Sequence, residues 1–235
     1  MKDSIKEYIK FSFNQNLKDY FGKEFEIDGT HVLIKDPLPN HVDVNKVLKD
    51  IFLLIPKHLL SNLQAIKIGQ YDRFFKRNIN AFYKDGTLYV TNQQDDNSDM
   101  ADDIVHELAH SVEEIAASEI YDDELIKREF LGKKKRILDL LKEYGYNITY
   151  ETYETTKYKK EFDRFLYTDV KALLLKNLSI GLFVSPYALT SLREYFATGF
   201  EEYFLRDRDY LKKISPALFS KIDLITNIEV KHYEL

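Results

Sequence analysis

Apolar residues recur at helical spacing over 3–21, where Ile5, Tyr8, Ile9, Phe13, Leu17 and Phe21 share one side, so an amphipathic helix is expected there. The pattern then shortens. FEIDGTHVLI at 25–34 predicts two strands around Asp28-Gly29. Residues 43–63 read as helix interrupted at Pro56, and AIKIG at 65–69 alternates like a strand. NINAFYKDGTLYVTN at 78–92 predicts a second hairpin turning at Asp85-Gly86. A helix capped by Ser98 or Asp99 should follow, with Met100, Ile104, Val105, Leu108, Val112 and Ile115 on its apolar side. Further helices are expected at 122–144, stopped by Gly145, at 157–178, within 185–205 after a loop, and near 216–226. Strands come early and helices late, which makes the class α+β with a small N-terminal mixed sheet and a helical C-terminal half.

Composition narrows the function classes. The chain has 235 residues, which fits a single domain over 1–235. It is 44% hydrophobic and 31% charged, a globular balance. The net charge of −5 weighs against a nucleic-acid partner. The basic run GKKKR at 132–136 sits among acids and reads as a solvated helix face. With no cysteine, disulfides and thiolate metal ligands are excluded. The longest apolar runs, such as IFLLI at 51–55, are too short to span a bilayer. The charged N-terminus does not read as a secretory signal peptide, so a cytoplasmic product, or one delivered or exported by a non-Sec route, is expected.

The chemistry concentrates in DDIVHELAHSVEE at 102–114. On a helix, His106 and His110 lie one turn apart on one face and can point both imidazoles at one ion. Glu107 sits about 100° further round, able to reach a water beside that ion without being a ligand. This is the logic of H-E-x-x-H in zinc peptidases, in which the ion activates water and the glutamate carries the proton. At this chain's His and acid frequencies, a chance H-[DE]-x-x-H arises only about 0.02–0.03 times. The competing reading is a structural helix with two surface histidines. A catalytic zinc site takes a third protein ligand. His31, His41, His58 and His232 have no second motif around them. Glu194, Glu201 and Glu202 are the acidic candidates, with Glu161 and Asp169 behind them.

HELAHSVEE followed by SPYALTSLREYFATGFEEYF resembles the catalytic domain of the anthrax lethal factor family, which includes secreted Pro-Pro endopeptidases of clostridia. That family's pattern is H-E-x-x-H, then a tyrosine, then a helix with E-[FY]-F-A-x-x-F. Here Tyr187 precedes Glu194-Tyr195-Phe196-Ala197 and Phe200. The resemblance implies a zincin-like metallopeptidase fold, one Zn2+ held by His106, His110 and Glu194, Glu107 as general base and acid, and Tyr187 as oxyanion stabiliser. Glu113-Glu114 matches the family's acidic pair after the motif. His110 and Glu194 stand 84 positions apart, so a helical insertion is expected at about 120–180 between the two ligand helices.

Blander roles compete for the same residues. Ser191-Leu-Arg-Glu194 is also a capping-box pattern. Glu113 or Glu114 could orient a ligand histidine or simply face solvent. Asn80-Ala81-Phe82-Tyr83 could be an exposed edge that binds an extended peptide or protein substrate by its backbone, or a plain hairpin. The expected function is a zinc-dependent endopeptidase. The alternative is a catalytically idle lethal-factor-like module of a toxin or phage particle.

Overall fold

The computed structural model describes residues 22–77 and 79–228; the expected helix at 3–21 and His232 lie outside them. The chain divides into two compact units, residues 1–111 and 112–235. The class is α+β, with a small mixed sheet in the N-terminal half and helices through the C-terminal half. No helix among the described residues is long and apolar enough to cross a membrane.

Among the described residues the first unit carries five strands: β1 (Lys23–Ile27), β2 (Thr30–Ile34), β3 (Ala65–Ile68), β4 (Ala81–Lys84) and β5 (Thr87–Val90). Their order is β1-β2-β3-β5-β4. The outer pairs β1/β2 and β4/β5 are antiparallel hairpins, and β2/β3 and β3/β5 are parallel. Both hairpins turn where expected, with positive φ at Asp28 (47°) and Gly29 (82°) and at Asp85 (48°) and Gly86 (75°). Two consecutive left-handed residues give a turn whose twist matches that of the strands. Val32, Ile34, Ile66, Ile68, Leu88 and Val90 alternate into the core. Helix α1 (Val44–Leu54) supplies the matching apolar stripe, Val44, Val47, Leu48, Ile51 and Phe52, and ends just before Pro56. A short helix, α2 (Asp72–Arg77), was not anticipated.

Helix α3 (Asn97–Tyr121) begins two to three residues earlier than expected. Its cap is Asp96, whose Oδ1 accepts from the Ser98 and Asp99 amides at 2.7 and 2.9 Å. Neither Ser98 nor Asp99 fills that role. Met100, Ile104, Val105, Leu108 and Val112 are fully buried, but Ile115 is 44% exposed. Non-helical backbone at Ala116 (φ −121°, ψ 23°) shifts the buried stripe to Ala116 and Ile120.

The second unit continues with α4 (Leu125–Glu143), α5 (Tyr150–Glu154), α6 (Lys160–Arg164), α7 (Ala172–Ser179), α8 (Leu192–Leu205), α9 (Arg208–Ile214) and α10 (Pro216–Thr226). Gly145 (φ 89°) stops α4, with Tyr146 N–H returning to Leu141 O and Gly145 N–H to Lys142 O. The expected single helix over 157–178 is broken instead. Residues Phe165–Asp169 form a π turn, and Lys171 takes a φ of 67° before α7 starts. The reason lies in the apolar spacing. Phe162, Leu166, Val170 and Leu175 are all buried. On an unbroken helix Leu175 would point about 220° away from Phe162.

The basic run at 132–136 is also corrected. Lys135 and Arg136 face solvent, but Lys134 is fully buried and the Lys133 side chain nearly so. Lys134 shares the α4 face of Phe130, Ile137, Leu138 and Leu141. Its Nζ donates to Thr155 O at 2.8 Å and lies 4.6 Å from the centre of the Phe162 ring. Lys133 Nζ donates to Tyr195 Oη (2.5 Å) and Ser215 Oγ (2.6 Å). Burial pulls both ammonium groups down to about 8. Glu129 completes the cluster, accepting from Tyr195 Oη and from the Ala217 and Leu218 amides at the start of α10.

Two glycines of this unit should respond oppositely to alanine. A Cβ on Gly199 in α8 would overlap the Leu218 Cδ2 and lie 2.9 Å from its Cγ, and Leu218 is fully buried. Gly199→Ala should therefore destabilise by about 1–3 kcal/mol. Gly132 in α4 meets nothing within 4 Å, so Gly132→Ala should stabilise by about 0.5–1 kcal/mol. Urea denaturation curves of the two variants measure both shifts.

Candidate metal centre

The local sequence places each side chain through the register of its element. Along α3 the buried Ile104, Val105, Leu108 and Ala109 fix the helix rotation. His106 and His110 are thereby presented together, with ring centroids 5.2 Å apart and planes at 88°. His106 is half-buried and His110 buried. Glu107 turns to the sheet, where its Oε2 accepts the Tyr83 backbone N–H at 2.8 Å.

That bond locates Glu107 beside an outer strand of the sheet. β4 is an outer strand and pairs only with β5 among the described strands. The two-residue turn makes Lys84–Thr87 the closing hydrogen-bonded pair, so Phe82 also bonds inward to β5. Ala81 and Tyr83 consequently turn their backbone groups to the open edge. The Tyr83 ring is held separately, its Oη accepting from Asn62 Nδ2 (2.8 Å) and the Gly86 amide (3.0 Å).

Glu194 stands in the first turn of α8. Ser191 caps this helix, its Oγ accepting the Glu194 N–H at 3.2 Å, so the serine half of the capping pattern is formed. Tyr187 is half-buried in a 3-10 turn, Pro186–Leu189, closed by Thr190 Oγ1 on the Tyr187 carbonyl. Of the two acids after the motif, Glu114 is exposed and Glu113 is buried. Glu113 accepts from the Tyr121 hydroxyl and from Arg193 Nε (3.1 Å). It thus ties the last turns of α3 to the residue just before Glu194. Burial and the Glu113 carboxylate push the Tyr121 phenol up.

Among the described residues, one group of three His, Asp or Glu side chains could hold a metal ion: His106, His110 and Glu194, each with a ligand atom within 4.8 Å of the other two. Two imidazoles and one carboxylate are the donor set of a catalytic zinc site, so the residues fit that ion. Glu107 is outside this group. Two of the other acidic candidates have other engagements. Glu201 pairs with Arg206 at 3.3 Å, and Glu202 accepts the Asp207 amide at 3.4 Å. Of the other histidines, His31 pairs with Glu24 (3.4 Å) and the His41 ring bonds Asp95 O (2.8 Å). No family model, no curated protein and no solved structure matches the chain.

Three features escaped the sequence reading: the bond from the Tyr83 amide to Glu107, Arg193 and Asp103. Asp103 lies three residues before His106, a spacing that puts it on the same side of α3. Its Oδ2 accepts from Gln94 Nε2 at 3.0 Å. Burial, aided by Asp99 and Glu107, pushes its carboxyl up to about 6, against the Gln94 bond and His106. The folded pKa is above the unfolded one. Stability from this group is therefore full below about pH 4 and lost as pH rises through about 6. Asp103→Asn keeps the shape and removes that loss. In metal-free protein it should raise unfolding stability at pH 7.5 by about 1–3 kcal/mol, a gain that shrinks as pH falls toward 4. Chemical denaturation at the two pH values checks the sign.

Proposed function

We propose that the chain is a zinc-dependent endopeptidase with a zincin-like fold of the lethal-factor type. The observation that carries this reading is the grouping of His106, His110 and Glu194 around one potential ion site, while Glu107 stays outside it beside an outer strand of the sheet. His106, His110 and Glu194 would hold the ion, which supplies Lewis acidity toward a carbonyl oxygen and makes water a better nucleophile near neutral pH.

The chain's own residues do the rest. An extended peptide adds to the open edge of β4 through the outward backbone groups of Ala81 and Tyr83. Glu107, held by the Tyr83 amide until the peptide takes that N–H, takes the proton of the attacking water and returns it to the leaving amine. The Tyr187 hydroxyl donates a hydrogen bond to the developing oxyanion, an interaction worth about 2–4 kcal/mol when pre-aimed. The motif support is sequence-level: Tyr187 stands seven residues before Glu194 in the pattern shared with the lethal factor family.

Elemental analysis and peptide cleavage test this together. The parent should carry about one zinc per chain, Glu107→Gln should keep it, and Glu194→Ala should lose it. Glu107→Gln should cut peptides at least about a hundredfold more slowly. A folded parent that takes no zinc when zinc is supplied would leave the binding-module reading in its place. Tyr187→Phe should keep zinc and KM but lower kcat by about tenfold to a hundredfold, read from steady-state kinetics on the best-cut peptide. An unchanged kcat would remove Tyr187 from the site.

A further inference from the structure

A cavity of about 300 Å3 opens in the second unit beside the start of α8. Its walls include Tyr121, Tyr158 and Leu192, and Lys157, Arg193 and Glu194 also line it. One wall comes from the strap at 155–159, inside the segment expected as an insertion. That strap is held at two consecutive carbonyls. Thr155 O accepts from the buried Lys134 Nζ, and Thr156 O accepts the Leu192 amide, both at 2.8 Å. The cavity is therefore built before any ligand arrives.

The charges of the lining are unequal in what they have left to offer. Glu113 occupies Arg193 Nε and leaves the two terminal guanidinium nitrogens for another acceptor. Asp163 takes the Tyr158 hydroxyl at 2.7 Å. Glu194 is committed to the ion under the proposed function. Lys157 is exposed and makes no hydrogen bond or ion pair among the described residues. What remains is a short apolar channel with cationic donors around it.

We infer that this cavity is a specificity subsite for an acidic side chain of the substrate, glutamate above all. Tyr121, Tyr158 and Leu192 pack its methylene stem, and Lys157 with the free face of Arg193 receives its carboxylate. The inference rests on the peptidase reading, since Glu194 is what brings the cavity next to the reacting bond.

The test uses the zinc-loaded full chain and fluorogenic peptides that share one cleavable frame, with Glu, Gln or Lys at each position flanking the cut. At one flanking position, kcat/KM for Glu should exceed that for Lys by about tenfold or more. Lys157→Met should collapse the ratio and Lys157→Glu should reverse it, with zinc content unchanged. Binding of the same labelled peptides to Glu107→Gln protein, read by anisotropy, should give the same order, with the Glu preference weakened by added salt. Equal cleavage of all three by the parent, or a Glu preference that survives Lys157→Glu, overturns the subsite and leaves the peptidase standing. Zinc-loaded parent that cuts no peptide removes both.

Discussion

The rotation of α3 about its own axis is the constraint on which the site depends. Ile104, Val105, Leu108, Ala109 and Val112 are all completely buried and occupy one broad side of the helix. On a 3.6-residue period His106, His110, Asp103 and Glu107 must then fall on the other side, spread over about 100°. A slip of one residue would drive the imidazoles into the apolar core and push leucine and isoleucine out. Burying each of those aliphatic side chains is worth about 1.5–3 kcal/mol, so the apolar stripe holds the histidines in place far more firmly than any bond they make themselves. The Asp96 cap fixes where this register begins.

The same helix end shows how charge is tolerated inside. Glu113 is buried and accepts from the Tyr121 hydroxyl and the Arg193 guanidinium. Glu129 accepts from the Tyr195 hydroxyl and from two backbone amides at the start of α10. A buried carboxylate without such partners would cost several kcal/mol. Each network also has a positional effect. Glu113 and Arg193 secure the turn that carries Glu194, and Glu129, Lys133, Tyr195 and Ser215 bind α4, α8 and the start of α10 to one another. Asp103 accepts from Gln94, and burial raises its pKa in spite of that bond.

How much of this was legible depended on how local the signal was. Asp28-Gly29 and Asp85-Gly86 announce their turns because left-handed backbone is cheap for those residues. The stripe of α1 is regular and was readable from spacing alone. The break at 165–171 was not, because no glycine or proline marks it and the strain at Lys171 is set by tertiary packing of Leu175. The lysines of GKKKR misled for a similar reason. Composition suggested a solvated face, whereas the α4 register places Lys134 in line with Phe130 and Ile137, and only a carbonyl from a distant strap, Thr155, makes that burial affordable. In the site, His106, Glu107 and His110 were legible as a motif. Glu194 could be chosen over Glu201 and Glu202 only through the family resemblance, because helix spacing within one segment says nothing about which distant acid converges on it.

The Tyr83 amide was invisible for a different reason: a backbone group leaves no mark in a sequence. Its bond to Glu107 bears on how the proposed chemistry would begin. Tyr83 lies on the open edge of β4, so an added peptide strand and Glu107 would compete for the same N–H. Under the proposed function, substrate that takes the amide would release Glu107 toward the water. Engagement of the edge strand and release of the base would then be one event, and a peptide that misses the edge would meet a carboxylate still occupied.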